Sequence, residues 1–205
     1  MKVVVEHLEE CLSPWLMCEY SYVVKLFKNS VLFTNVKSLR TRNTLKELGV
    51  DVVEASVVDL VANNSLRHPI ILDPKARETL TPEDLVSADS VIIGGIMGEH
   101  PPKGRTFREI TSKLISKAKI RNLGKLQLTI AGTAYVLKRM LEGTRLESLD
   151  IRFGLRFVVQ IGEYEVTIEL PYAFPYEEGR VVLPESYLEV IARRSLIYES
   201  KPTCL

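Results

Sequence analysis

Apolar residues along this chain come in short, β-branched bursts separated by longer stretches with helical spacing. Val3-Val4-Val5 sits within Lys2 to Glu6. Val31-Leu32-Phe33-Thr34, Pro69-Ile70-Ile71-Leu72 and Asp89 to Ile93 repeat the pattern. Runs this short, bounded by turn residues, predict buried strands. Ser13-Pro14 predicts a helix start, with serine as N-cap and proline at the first helical position. Trp15, Leu16, Cys18, Tyr22, Val23 and Leu26 share a broad apolar face along that helix. Ser38 to Leu48 predicts a second helix, closed by Gly49. Thr81-Pro82-Glu83-Asp84 caps a short helical turn, Phe107 to Lys117 reads as helix, and Thr129 to Leu141 as a longer one stopped by Gly143. Brief strands are expected near Val52-Val53 and at Lys119-Ile120-Arg121.

Strand–helix alternation as far as Gly143 predicts an α/β fold: a mostly parallel sheet with helices on both faces. After Asp150 the texture changes. Ile151 to Ile161 and Glu163 to Leu170 flank Gly162 as an antiparallel β-hairpin, and a short strand at Val181-Val182-Leu183 and a helix from Pro184 to Arg193 follow. No Pro, Gly or Ser cluster marks a linker near 145–150. The expectation is therefore a single domain over 1–205, with 150–205 as a C-terminal extension packed on it.

Composition narrows the classes. An apolar share of 46%, a charged share of 26% and a net charge of +1 describe an ordinary globular protein. No global field advertises nucleic acid or membrane, and the apolar runs are too short to span a bilayer. The acidic residues that follow Val3-Val4-Val5 argue against a signal peptide. Cys11, Cys18 and Cys204 are odd in number and lack Cys-x-x-Cys spacing. They predict structural thiols in a reducing cytoplasm, with no metal site.

Four stretches could carry chemistry. Ile93-Gly94-Gly95-Ile96-Met97-Gly98-Glu99-His100-Pro101-Pro102 puts a close-approach loop at the end of a buried strand, where open α/β sheets bind ligands. Its spacing fits neither a P-loop nor a dinucleotide fingerprint, so a ligand held by backbone groups in a shaped pocket is favoured. The acidic start holds Glu6, Glu9, Glu10 and Glu19, groups able to bind a cation or accept a proton. Residues 103–125 hold eight basic side chains (Lys103, Arg105, Arg108, Lys113, Lys117, Lys119, Arg121, Lys125) against Glu109. They read as a phosphate-contacting surface or as the solvated face of a helix. Arg121 to Thr129 forms a second glycine-bearing loop leading into a helix.

Together these residues resemble the SPOUT class of methyltransferases, whose sheet carries a trefoil knot. More narrowly, they resemble the small branch that includes a fungal arginine methyltransferase acting on a small-subunit ribosomal protein. The resemblance lies in Val4-Val5-Glu6-His7-Leu8-Glu9-Glu10, Glu19-Tyr20-Ser21, Leu72-Asp73-Pro74, the Gly94 to Pro102 block and Leu123-Gly124-Lys125-Leu126-Gln127. It implies a SPOUT-like sheet with a C-terminal trefoil knot and S-adenosyl-L-methionine as cofactor. The implied cofactor contacts are Leu72, Asp73, Gly94, Gly95, Ile96, Met97, Gly98, Glu99, His100, Leu123, Gly124, Leu126, Gln127 and Thr129. The expected reaction is methylation of an arginine side chain in a ribosomal or other basic protein, by a cytoplasmic monomer rather than a dimer. Because the guanidinium is a poor nucleophile, Glu6, Glu9, Glu10, Glu19 and Glu99 are the candidates to fix, polarise and deprotonate it. His7 and His100 are either proton acceptors or, the favoured reading, hydrogen-bonded within their loops. RNA methylation is the alternative, supported by the basic run. A non-catalytic cofactor- or ribosome-binding module is the third reading.

Overall fold

In the computed structural model, residues 1–195 and 204–205 are described. Strands β1 (Lys2–His7), β2 (Val31–Thr34) and β3 (Asp51–Val52) alternate with helices α1 (Pro14–Phe27), α2 (Leu39–Lys46) and α3 (Val57–Ala62). Then come β4 (Pro69–Leu72), α4 (Pro82–Ser87), β5 (Ser90–Gly95), a π-helical turn over Phe107–Thr111, α5 (Ser112–Leu114), β6 (Lys119–Arg121) and α6 (Ile130–Leu141). The six strands form one sheet in the order β3-β2-β1-β5-β4-β6, every pair parallel. The mostly parallel sheet read from the alternation is thus fully parallel, and strand order reverses between β1 and β5.

Period-two alternation sorts each strand onto two cores. Val3, Val5, Ile70, Leu72, Val91 and Ile93 join Leu16, Tyr20, Ala134 and Leu137 on the face covered by α1 and α6. Val4, Ile71 and Ile92 face Val57, Val61, Ile110 and Leu114 on the other side. Ser13 caps α1, accepting a hydrogen bond from Leu16 N, with Pro14 as first helical residue. Thr129 caps α6 the same way through Gly132 N.

The C-terminal part is a second sheet: β7 (Asp150–Ile161), β8 (Tyr164–Glu177) and β9 (Arg180–Val181), followed by α7 (Tyr187–Ser195). It has its own apolar cluster of Ile168, Leu170, Phe174, Tyr187 and Ile191. It meets the loop between β6 and α6 where Ala173 N donates to Gln127 O at 2.7 Å.

Several expectations need correction. The sequence pattern missed α3, whose capping box pairs Ser56 with Asp59. The helix expected over Phe107 to Lys117 is a π-helical turn and one short α turn. β8 continues past Leu170 to Glu177, through Pro171 and Pro175. The last helix starts at Tyr187, three residues later than expected from Pro184. The cysteines are not all thiols: Cys11 and Cys204 form a disulfide, with Cα atoms 5.6 Å apart, and only Cys18 is free. Their separation of 193 residues hid the pairing.

Candidate functional site

The carboxyl ends of β4, β5 and β6 open into one cavity of about 290 Å³. Leu72 to Lys75 form one wall, and Ile93, Gly94 and Ile96 to Glu99 a second. Leu123 to Leu128, with Ile130 and Thr133, form the third. A slot of about 30 Å³ adjoins it, lined by Trp15, Glu19, Thr129, Tyr172 and Tyr187. Ile96, Met97, Gly98, Gln127, Leu128 and Ile130 border both spaces.

Both loops are held tightly. Glu9 accepts hydrogen bonds from Met97 N (2.9 Å) and Arg105 Nη1 (2.7 Å), while Arg105 Nη2 donates to Leu8 O at 2.7 Å. The first turn after β1 is thereby clamped to the loop after β5, at the point where strand order reverses. Tyr172 donates its hydroxyl proton to Gly98 O. A Cβ on Gly98 would lie 2.6 Å from Gln127 Nε2 and 2.8 Å from Tyr172 Cε1. Close approach, the role read for this loop's glycines, is what the geometry requires there. In the second loop Asn122 Oδ1 accepts from Gly124 N at 2.9 Å, and Gly124 takes φ +90°, a conformation natural to glycine.

The five candidate carboxylates separate. Glu6 is buried away from both spaces and accepts from Thr34 Oγ1, from Ser56 Oγ at 2.6 Å and from Val57 N at 2.9 Å. It ties β1 to β2 and to the start of α3. Glu9 is the loop clamp described above. Glu10 is exposed and lines neither space. Glu99 lies at the cavity mouth, where its bond from Lys103 (2.7 Å) holds its carboxyl below the usual range. Glu19 alone is a buried carboxylate facing the slot. It accepts from Ala131 N at 2.6 Å, at the amino end of α6, and from Tyr187 OH at 2.7 Å. Burial pushes its pKa up, and these bonds counter the shift.

The expected cofactor contacts fall mostly on the large cavity: Leu72, Asp73, Gly94, Ile96, Met97, Gly98, Glu99, Leu123, Gly124, Leu126 and Gln127. Asp73 lines it while its carboxylate serves the fold, accepting from Thr111 Oγ1 (2.6 Å) and Lys75 N (2.8 Å). Thr129 belongs to the slot. Gly95 and His100 lie outside both linings. Gly95 packs on α1, where an added Cβ would sit 2.3 Å from Tyr20 OH. His100 stands beside Phe153, ring centroids 6.4 Å apart. His7 is buried, its Nδ1 2.9 Å from Tyr20 OH, and burial lowers its pKa to about 4. It is neutral near pH 7 and shares a hydrogen bond with the tyrosine hydroxyl, which also lies 3.5 Å from Gly95 O.

The basic run does not form one free patch. Lys103 pairs with Glu99, Arg105 with Glu9, Arg108 and Lys113 with Glu109, and Lys119 and Arg121 with Asp84. No site role was expected of Trp15, Tyr172 or Tyr187, and Arg105 was read only as one member of the basic run. Trp15 and Tyr187 read simply as apolar positions of helices. Pro171-Tyr172 fell beyond the predicted hairpin.

A parallel α/β sheet whose cavity is walled by the turns after β4, β5 and β6 has the architecture of a SPOUT-class methyltransferase. Within that class the chain belongs to the protein arginine N-methyltransferase SFM1-like family, whose model matches residues 2–197. It is 30% identical over 210 residues to protein arginine N-methyltransferase SFM1 of Saccharomyces cerevisiae, covering 95% of this chain and 96% of that one. The crystal structure of yeast SFM1 complexed with S-adenosylmethionine superposes with a TM-score of 0.83 at 23% identity, over 96% of this chain and 92% of that one. The dual-specific Trm10 from Thermococcus kodakaraensis shares the fold at a TM-score of 0.58 and 16% identity, over 71% and 95% of the two chains.

Proposed function

We propose that this chain transfers a methyl group from S-adenosyl-L-methionine to the guanidinium of an arginine in a basic protein. Ribosomal proteins are the first candidates, because the family resemblance points to them. The observation that carries the reading is the position of Glu19: a buried carboxylate in an aromatic slot that shares its wall with a cofactor-sized cavity.

The residues present fit the cofactor. The cavity is mostly apolar, walled by glycine-bearing loops and close to the lower end of ligand-site volumes. Gln127 Oε1, on the wall common to both spaces, is buried without a hydrogen-bond partner among the described residues, so a donor is wanted there. When bound, the cofactor supplies an electrophilic methyl and its leaving sulfur. The chain must then align a nitrogen lone pair with that methyl, which is worth roughly 7–11 kcal/mol of barrier.

We assign this task to Glu19. Ala131 N and Tyr187 OH hold its carboxylate, Trp15 and Thr129 lie beside it, and an entering planar guanidinium fork would take up the carboxylate from the slot side. Tyr172 and Trp15 offer aromatic faces for the cation. The arginine nitrogen gains a carbon and gives up one proton. A carboxylate whose pKa is raised by burial is suited to take it. At about 30 Å³ the slot holds roughly two waters, so Trp15 and Tyr172 must part to admit an arginine.

Pairing of most of the basic run weighs against RNA as substrate and favours protein. Glu9 and Arg105 act as positioning residues, Glu6 as a structural one. The remaining parts of the proposal are a single domain with 150–205 as a target-selecting extension, a trefoil knot in the chain around the two loops, and a cytoplasmic monomer. Among the described residues no helix is long and apolar enough to cross a membrane.

The test combines calorimetric titration with S-adenosylmethionine and transfer of labelled methyl to ribosomal proteins and to ribosomal RNA. We expect micromolar-range binding and label in protein only. Glu19→Gln should bind the cofactor normally and lose at least about 100-fold in kcat. Label in RNA alone, or full activity in Glu19→Gln, overturns the assignment.

A further inference from the structure

We propose that the protein substrate docks as an added β-strand along the outer edge of β8, from Tyr164 to Tyr172, and that the docked segment is basic. This rests on the arginine methyltransferase reading above.

β7 covers one edge of β8 along nearly its whole length. The opposite edge carries β9 only at Tyr176 and Glu177, and the single bridge to Leu128 at Ala173. Among the described residues no strand pairs with that edge between 164 and 172. An open strand edge is a ready template for an incoming chain, since its unpaired N–H and C=O groups bind any extended backbone. Pro171 lies in this stretch and brings no N–H, as edge strands tolerate.

The open edge also leads to the slot. Ala173 N already donates to Gln127 O at 2.7 Å, so a strand docked beyond Leu128 continues a pairing the fold has begun. Tyr172, where the open stretch ends, lines the slot and holds Gly98 O. An extended segment seated here brings one side chain to the mouth of the space that contains Glu19.

Charge selects the occupant. Residues 150–177 carry Asp150, Glu163, Glu165, Glu169 and Glu177 against Arg152 and Arg156. Arg152 pairs with Asp150 (2.6 Å), and Arg156 lies 3.6 Å from Glu169. Glu177 is paired with Arg139. Glu163 and Glu165 remain exposed, with no ion pair among the described residues, at the end of the edge remote from the slot. Tyr164, 77% exposed, stands beside them as an aromatic contact. A segment with cations seven to nine residues from its target arginine meets these acids, and like charge repels an acidic one.

The probe is a labelled peptide with one arginine and lysines seven to nine residues from it, followed by anisotropy for binding and by methyl transfer for turnover. Two further peptides carry N-methyl groups on alternate backbone amides, one in each register. We expect one register to bind at least about tenfold more weakly and the other to bind normally, because only one set of amides faces β8. A Glu163→Lys, Glu165→Lys variant should raise KM about tenfold for the lysine-flanked peptide with kcat kept, and much less for a serine-flanked one. Equal binding of both N-methylated peptides, or a KM indifferent to the charge change, overturns the proposal. So does light scattering showing a dimer that the hairpin variants dissolve, because the edge then belongs to a second copy. Register-dependent binding without methyl transfer would keep the docking edge and remove the arginine chemistry instead.

Discussion

Glu6 and Glu19 are both buried carboxylates, and their neighbours give them different work. Glu6 spends its oxygens on Thr34, Ser56 and Val57. Glu6→Gln puts an amide N–H where donors already point, so urea unfolding should show a loss of about 2–3 kcal/mol. Cofactor affinity per folded molecule should stay unchanged, because Glu6 lines neither space. His7 gives a pH signature. Its native pKa is lowered to about 4, whereas in the unfolded chain it titrates at the ordinary histidine value of 6.5. Between these values the unfolded chain takes up the proton and the native state refuses it. Stability should therefore fall as pH drops from 6.5 towards 4, by up to about 3 kcal/mol. Urea midpoints across that range check this, and the slope should flatten in His7→Asn. The sequence showed the acidic start as a group, but a string of glutamates does not say which one turns inward. That depends on Ala131 and Tyr187, 112 and 168 residues away from Glu19.

Elements whose apolar period and caps agreed were legible: β1, β2, β4, β5, α1 and α6 stand close to where the pattern placed them. α3 was not, because Val57-Val58-Asp59-Leu60-Val61-Ala62 is short and rich in β-branched residues. Its start is fixed by Glu6 across the sheet, which local pattern does not show. The loop after β5 was legible as a close-approach segment, yet its glycines do unlike things. Gly95→Ala drives a methyl to 2.3 Å from the buried Tyr20 hydroxyl and 2.8 Å from Glu6 O. Backbone and a fixed ring cannot both yield, so a loss of about 1–3 kcal/mol is expected in thermal or urea unfolding. Gly98→Ala meets Gln127 Nε2 and Tyr172 Cε1, groups on the slot wall. It should leave stability within about 1 kcal/mol and lower kcat/KM for the arginine substrate by at least tenfold. Comparable unfolding losses in both variants would refute this division between packing and site.

At the scale of the whole molecule, the site is a meeting of parts far apart in sequence. The turn after β1, α1, the turns after β4, β5 and β6, β8 and the start of α7 all contribute, and for β8 and α7 no local signal marked them as part of it. The last residues also return to the loop after β1. Leu205 N donates to Leu12 O at 2.8 Å next to the Cys11–Cys204 bridge, two residues from the Glu9 clamp. A link between residues 193 apart restricts nearly the whole unfolded chain, so its contribution is felt globally although its contacts are few. Reduction should lower stability by about 2–4 kcal/mol, and the melting temperature by several degrees. A Cys11→Ser, Cys204→Ser variant should melt at the reduced value and ignore the reductant. Cys18→Ser should still respond, since that thiol is free. If the oxidised protein yields no bridged Cys11–Cys204 peptide by mass spectrometry, the thiols are independent and the first expectation for them stands. If the bridge forms and melting does not move, the tail is tied to a segment that unfolds after it, and the constraint acts on the end of the chain alone.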